Sequence, residues 1–435
     1  MKRTLTLLDS TMINVGTIIG SGIFLVPTTI ALYMHSTSLT ILVWLVAGIL
    51  TLFGALSIAE LGAAMPRAGG QFVYLKEAYS PFWGFLYGWS SFWVINSASI
   101  AALAVAFATY LGHFHSLTPI QIKIIAIAAI AAFTLLNIYG LRTGVWTQNI
   151  ITFLKIGALL AIISLGLFLS GGETANFQPL LPDRTFSSLV PLFGLALVAT
   201  LWSYDGWIEI TYIGGEVKDP GRNIPLSLLI STLIIIAVYI LVNIVFIFLL
   251  SLPEIAQSEL VASRAISVVL GSGGTTLVVL MILVSTLGGV HVNVLACPRI
   301  YYAMARENLF FRSLAEIHPK YGTPALSLVV QGIWSSLLVF SGTFDQLITY
   351  VVFASWIFYA MSCAGVIILR RKQPGLERPY RTWGYPVVPV IFVLFAGFLV
   401  LNTIVSDLRD ALIGAGLILT GLPAYLYWKR QSTAS

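Results

Sequence analysis

Apolar runs of roughly 20 residues recur from one end of this chain to the other, and roughly 20 residues is the length at which a helix crosses the hydrocarbon core of a bilayer. Only 9% of the 435 residues are charged, against about 25% in an ordinary soluble domain. Twelve spans are predicted, over residues 11–33, 38–65, 82–112, 120–140, 146–170, 189–213, 226–250, 273–298, 325–342, 345–369, 385–405 and 408–428. The stretch 325–369 is the hardest to divide. The fold class expected is an all-α polytopic membrane protein, with no soluble domain long enough to fit between the spans. The first run follows Met1-Lys2-Arg3, as a signal peptide would. It is too long for one and lacks a small-residue cleavage site, so it is read as a retained span.

A formal net charge of +6 would suit a nucleic-acid partner, but its distribution argues against one. With the N-terminus in the cytoplasm, the inside loops carry 18 of the 23 basic residues, among them Arg67, Arg299, Arg306, Arg370, Arg371 and Lys372. The outside carries four, Lys123, Arg184, Arg264 and Arg409, and Lys155 lies within a span. This is the positive-inside bias, and it predicts a multi-pass cell-membrane protein with both termini cytoplasmic and no nucleic-acid partner. Cys297 and Cys363 fall in or at the ends of spans 8 and 10. They offer neither a disulfide framework nor metal spacing, so no metal and no cofactor are expected.

The first span is interrupted at mid-membrane by Gly16-Thr17-Ile18-Ile19-Gly20-Ser21-Gly22-Ile23-Phe24. Each glycine costs a helix roughly 1 kcal/mol, and irregular backbone at that depth survives only against protein or a wet cavity. The sixth span carries a second interruption, Ser203-Tyr204-Asp205-Gly206-Trp207. A GxxxG packing face at Gly16 and Gly20 would explain the first break alone. Two breaks five spans apart suggest instead a five-plus-five repeat, with discontinuous helices 1 and 6. Because five is odd, the second copy is inverted. The expected division is a ten-helix transport core, 1–372, with repeat one at 10–170 and repeat two at 189–370. Two additional helices and a short tail occupy 373–435.

Span 1 runs outward, so its outer half begins near Gly22. The free N–H groups of Ser21, Gly22 and Ile23 would face a carboxylate, since a helix N-terminus is an anion site. The inner half of span 1 ends in carbonyls near Thr17 and Ile18, and the outer half of span 6 ends in carbonyls near Trp202 and Ser203; such carbonyls suit an ammonium. A centre accepting both matches the common part of an α-amino acid. Asp205 is an intramembrane acid and so a candidate ammonium partner or proton carrier; it also sits where the inner half of span 6 would start, as a favoured N-cap. Glu209 follows on the same face, at the approach to the inner vestibule.

Lys155 lies deep in span 5, where a lysine costs roughly 2.5–3.5 kcal/mol on insertion scales. It should therefore face the bundle and hold span 1 carbonyls together with span 8 hydroxyls such as Ser285 or Thr286, as a bound sodium would. A snorkelling lysine is the plainer alternative. Glu60, and Glu216 with Lys218 and Asp219, read as cytoplasmic pairings at an inner gate. Trp83, Tyr87, Trp89 and Trp93 read as packing or interfacial belt. No nucleotide-binding or hydrolase motif is present, so uphill transport would draw on another solute's gradient. A membrane enzyme would need a catalytic constellation, and His291, Asp205 and Glu209 lack a recognisable spacing.

These residues together resemble the L-type amino acid transporter branch of the amino acid–polyamine–organocation superfamily, with bacterial serine/threonine and alanine-serine-cysteine exchangers as similar groups. The motifs that carry the resemblance are the break in span 1, Ala59-Glu60-Leu61 with Pro66, Gly69 and Gly70, Trp83-Gly84-Phe85, Tyr204-Asp205-Gly206-Trp207, Gly215-Glu216 with Pro220, and Pro298-Arg299. The resemblance implies sodium-independent exchange of small neutral L-amino acids by alternating access; proton-coupled symport is the alternative. It implies that Ile19, Gly20, Ser21, Gly22 and Ile23 hold the α-carboxylate, and that Ile18 and Ser203 hold the α-amino group. Trp202 would close over the substrate where relatives often have Phe. Lys155 would replace sodium, beside Ser285, and Tyr239 would couple the site to the inner half of span 1. Asn96, Ser97 and His291 are expected to shape the side-chain pocket. The chain departs from the pattern at His291, where relatives commonly carry an Asn-Gly pair, and at Glu209, which replaces an uncharged residue. The loop between spans 3 and 4 lacks the cysteine that tethers a glycoprotein subunit in animal members, so no disulfide-linked heavy subunit is expected.

Overall fold

Thr6 starts the first span with a capping box: its side chain accepts from the Asp9 N–H while the Asp9 carboxylate accepts from the Thr6 N–H at 2.9 Å. The computed structural model describes residues 2–169, 172–182, 185–340, 344–406 and 408–433. Ser170, Arg184, Ser341 and Gly342, which the predicted spans and loop charges include, lie outside that set. The helices in chain order are α1 (Leu7–Ile18), α2 (Gly22–Met34), α3 (Thr37–Ala64), α4 (Gln71–Ala78), α5 (Pro81–Ser90), α6 (Asn96–Leu111), α7 (Pro119–Ile138), α8 (Leu141–Phe168), α9 (Phe186–Ser203) and α10 (Pro220–Leu249). They continue as α11 (Leu252–Ala256), α12 (Val261–Leu270), α13 (Ser272–Ala296), α14 (Pro298–Arg306), α15 (Ala325–Leu338), α16 (Phe344–Lys372), α17 (Val387–Ser406), α18 (Leu408–Leu419) and α19 (Gly421–Thr433).

Each of the twelve predicted spans overlaps helix among the described residues, the sixth only over its first part. Among the described residues, eight continuous stretches are long and apolar enough to cross a membrane, and the pair α1 and α2, bent by 46° at the glycine break, is a ninth. The third span joins α5 to α6 through a single π-helical turn at Ser91–Ile95, a local widening common at functional sites. The predicted last span is divided into α18 and α19.

Span 6 differs from expectation. Below α9 the chain forms turns and two short 3₁₀ segments, Glu209–Thr211 and Gly214–Glu216, in place of an inner α-helix. Gly206 takes a φ of +96° with Thr17 packed against it, a conformation an L-residue rarely adopts. The chain therefore turns sideways there. Its exposed backbone groups find side chains instead, as where the Ile210 N–H donates to Asn14 Oδ1 at 3.3 Å. Asp205 consequently caps no helix.

α1 packs on α8, α10 and α13, α2 packs on α9, and α3 packs on α9 and α10. The two breaks thus lie against each other at the centre of the bundle. The lipid face of α8 shows how the chain sorts its residues: Phe153 and Leu154 are exposed, whereas the adjacent Lys155 is 2% exposed and points inward.

Candidate functional site: a central cavity between two broken helices

The break in span 1 is held open by side chains on its inner side. Lys155 donates from Nζ to the carbonyls of Gly16 at 2.7 Å and Ile19 at 2.8 Å. Ser285 Oγ donates to the Ile19 carbonyl at 2.9 Å, with the Gly20 carbonyl at 3.2 Å. An ammonium and a hydroxyl thus satisfy carbonyls that end a helix without intrahelical partners. Thr286 does not take part: its hydroxyl bonds back to Ile282 and Leu283 in its own helix. Gly288 leaves the space that the lysine stem fills, since a Cβ there would stand 2.6 Å from Lys155 Cε.

Tyr239 joins the two breaks. Its hydroxyl lies 3.0 Å from the Ile18 carbonyl and 3.2 Å from the Ser203 carbonyl, with its ring packed between Trp44 and Tyr204. The breaks also touch directly, because a Cβ on Gly22 would fall 2.5 Å from Ser203 Oγ. Both carbonyls expected to meet an ammonium therefore already share one hydroxyl, each keeping a second lone pair.

On the other side of the breaks lies a cavity of about 130 Å³, roughly ten times what a single water needs and large enough for a small organic solute. Thr17, Ile18, Gly20, Ser21 and Gly22 line it from span 1, and Trp202, Ser203, Asp205, Gly206, Glu209 and Tyr212 from span 6 and the turns below it. Asn96, Ala98, Ser99, Ala102 and Leu103 contribute from α6, with Ile95 from the π-turn, and Gln71, Tyr87, Asn293, Ser355 and Tyr359 complete the wall. At the start of α2 the N–H groups of Gly22 and Ile23 have no intrahelical acceptor. The cavity wall therefore offers both peptide donors and carboxyl groups.

Several predicted site residues lie elsewhere. Ile19 and Ile23 are fully buried behind the lining, the former contributing its carbonyl to Lys155 and Ser285. Ser97 is completely buried and outside the lining, while its neighbour Asn96 reaches the cavity and donates to Ser91 Oγ. His291 also lies outside the lining; its Nδ1 is 2.8 Å from Gln148 Oε1 and its ring packs on Phe133. Its turn of α13 faces α8 and α7 rather than the cavity, which corrects its expected place in the side-chain pocket. Asp205 accepts from the Tyr359 hydroxyl at 2.8 Å.

Other residues were not anticipated at the site. Tyr87, expected to be belt or packing, lines the cavity with Gln71 and Tyr212. Tyr359, on α16, belongs to no motif singled out in the sequence; a tyrosine able to face an intramembrane acid was its available signal. At the end of the bundle expected to face the cytoplasm, Glu216 is buried against Arg299 at 2.9 Å instead of pairing with Lys218. Glu60 holds Arg370 through two hydrogen bonds of 2.8 and 2.7 Å and accepts from the Thr382 N–H at 2.7 Å. That contact ties the segment preceding α17 to the core.

Comparison with known proteins agrees with this geometry. A family model described as amino acid permease matches residues 5–423. The chain is 33% identical over 437 residues to the serine/threonine exchanger SteT of Bacillus subtilis (strain 168), covering 100% of this chain and 98% of that protein. It is 33% identical to the b(0,+)-type amino acid transporter 1 of Mus musculus, over 99% of this chain and 89% of the relative. It is 32% identical to the cystine/glutamate transporter of Homo sapiens, over 99% and 87%.

Proposed function

The chain belongs to the amino acid permease family, and from that premise we propose how its cavity works. The protein is a multi-pass membrane transporter of amino acids, working as an exchanger. One observation carries the reading: the inner-side carbonyls of the span 1 break are occupied by Lys155 and Ser285, leaving the free N–H end of α2 facing a solute-sized cavity. That N-terminus receives the α-carboxylate at Ser21 and Gly22, and the second lone pairs of the Ile18 and Ser203 carbonyls receive the α-ammonium. Small neutral L-amino acids are the proposed common substrates.

Transport proceeds by alternating access across an inverted five-plus-five repeat, residues 10–170 and 189–370, with residues 373–435 outside the core. Trp202, at the cavity wall, closes over the bound solute. Lys155 stands where a coupling cation would sit, so exchange needs no sodium. Tyr239, bonded to both breaks, transmits their relative movement to the inner half of span 1. The chain is placed in the cell membrane with cytoplasmic termini and without a covalently attached heavy subunit.

Proteoliposomes loaded with or without internal alanine test the mechanism. Labelled alanine should enter only loaded vesicles, at the same rate in sodium and in choline. Uptake into empty vesicles driven by a pH gradient would replace exchange with proton-coupled symport.

A further inference from the structure

The cavity wall holds more acidic groups than a zwitterion requires. Two carboxylates line it, Asp205 and Glu209, and among the described lining residues there is no Lys, Arg or His. Lys155 lies behind the lining with its ammonium given to two carbonyls of span 1. Asp205 has Tyr359 as a donor. Glu209 is different: it is 6% exposed and lines the cavity, Thr17 lies within hydrogen-bonding reach of its carboxyl group and Lys155 is its nearest cationic neighbour behind the wall, yet its Oε2 has no hydrogen-bond partner.

The position of Glu209 is set by its backbone. It opens the 3₁₀ turn Glu209–Thr211, which follows the sideways turn at Gly206 and is pinned by Asn14 to the Ile210 N–H. A buried carboxylate oxygen left bare is costly, and more so than a neutral acceptor. Such a group persists in a cavity wall when the solute supplies its partner. The peptide N–H donors of α2 and the Glu209 carboxylate are separate recognition points in one cavity, the first suited to an anionic head and the second to a cationic end. Tyr87, Tyr212 and Asn293 share the cavity with Glu209 and add neutral hydrogen-bonding groups suited to an ammonium or guanidinium.

We propose that Glu209 determines side-chain specificity, binding the terminal cation of a basic α-amino acid whose carboxylate lies on the α2 N-terminus. The proposal rests on the amino acid transport reading above and extends its substrate range from small neutral to basic side chains. It assigns Glu209 to the part of the solute that varies, leaving the common part to the two breaks.

The experiment compares lysine with norleucine and arginine with citrulline, pairs alike in length that differ in charge, as inhibitors of labelled alanine exchange in proteoliposomes of the full chain. Lysine should inhibit at least tenfold better than norleucine, and labelled lysine should itself exchange. E209Q should lower the lysine-to-norleucine ratio at least tenfold, and E209D should restore part of it. Alanine exchange with no inhibition by lysine or arginine overturns this proposal alone, whereas absence of exchange for every amino acid overturns the transport reading beneath it. A proportional loss of alanine and lysine in E209Q would place Glu209 at the common part of the solute and also overturn the proposal. Should E209Q not fold, E209D decides the question: a lysine-to-norleucine ratio equal to the parent's in that variant overturns the assignment to Glu209.

Discussion

Replacing Lys155 with methionine isolates what its charge does, because methionine keeps an unbranched stem and opens little cavity. The ammonium gives two charge-assisted hydrogen bonds, to Gly16 and Ile19, each worth about 1.5–3 kcal/mol. Together they hold the unwound segment with roughly 3–6 kcal/mol of gross interaction. Burying the ammonium costs several kcal/mol in the opposite direction, so the net effect on folding is small. Thermal stability is therefore the wrong readout. The rate of exchange is the right one, since the break must keep its shape in the state that turns over. Losing about 2.7 kcal/mol there corresponds to a 100-fold slower step. The expected result is exchange slowed at least about 30-fold, with half-saturation for alanine changed less than about tenfold. Exchange within about threefold of the parent would refute the assignment of Lys155 to the break. Gly288→Ala supplies an independent check, because its Cβ would strike Lys155 Cε at 2.6 Å and should slow exchange while leaving the lysine in the chain.

Three further outcomes are expected. Tyr239→Phe removes the hydroxyl shared by Ile18 and Ser203 but keeps the ring contacts; a hydrogen bond worth about 1 kcal/mol predicts roughly fivefold slower exchange, and an unchanged rate would show that the breaks move without this link. Gly22→Ala places a Cβ 2.5 Å from Ser203 Oγ. Overpacking of this kind costs about 1–3 kcal/mol, so alanine affinity measured by thermal shift should fall by about fivefold to 150-fold, and full affinity would mean the contact is not kept in the binding state. Glu216→Gln leaves Arg299 buried beside a neutral group, in a pair whose side chains are 1% and 3% exposed. Breaking such a pair costs about 3–5 kcal/mol, and a melting temperature equal to the parent's would count against its structural role.

The twelve spans, the break at residues 16–24 and the inward face of Lys155 were legible in the sequence. Each follows from a property of the residues themselves: transfer energy into lipid, the helix cost of glycine, and the cost of a charge at the bilayer centre. The carboxylates lining the cavity, Asp205 and Glu209, were legible as intramembrane acids. Their surroundings were not. Asp205 looked like a helix cap because Asp favours that position, yet Gly206 turns the chain against Thr17 and no inner helix follows. Glu60 and Glu216 were recognisable as ion-pair formers, but Arg299 and Arg370 as their partners were not.

The sequence alone determined which segments enter the membrane and where the backbone opens, because those depend on local composition. Only the tertiary structure decided which faces meet. These helices are apolar on nearly every side, so no amphipathic stripe reports their rotation. Ser97 and His291 consequently pack away from the cavity, whereas Tyr87, Tyr359 and the unpartnered oxygen of Glu209 belong to its wall. Contacts between residues so distant in the chain depend on how helices rotate and pack, and their one-dimensional hydropathy does not encode that angle.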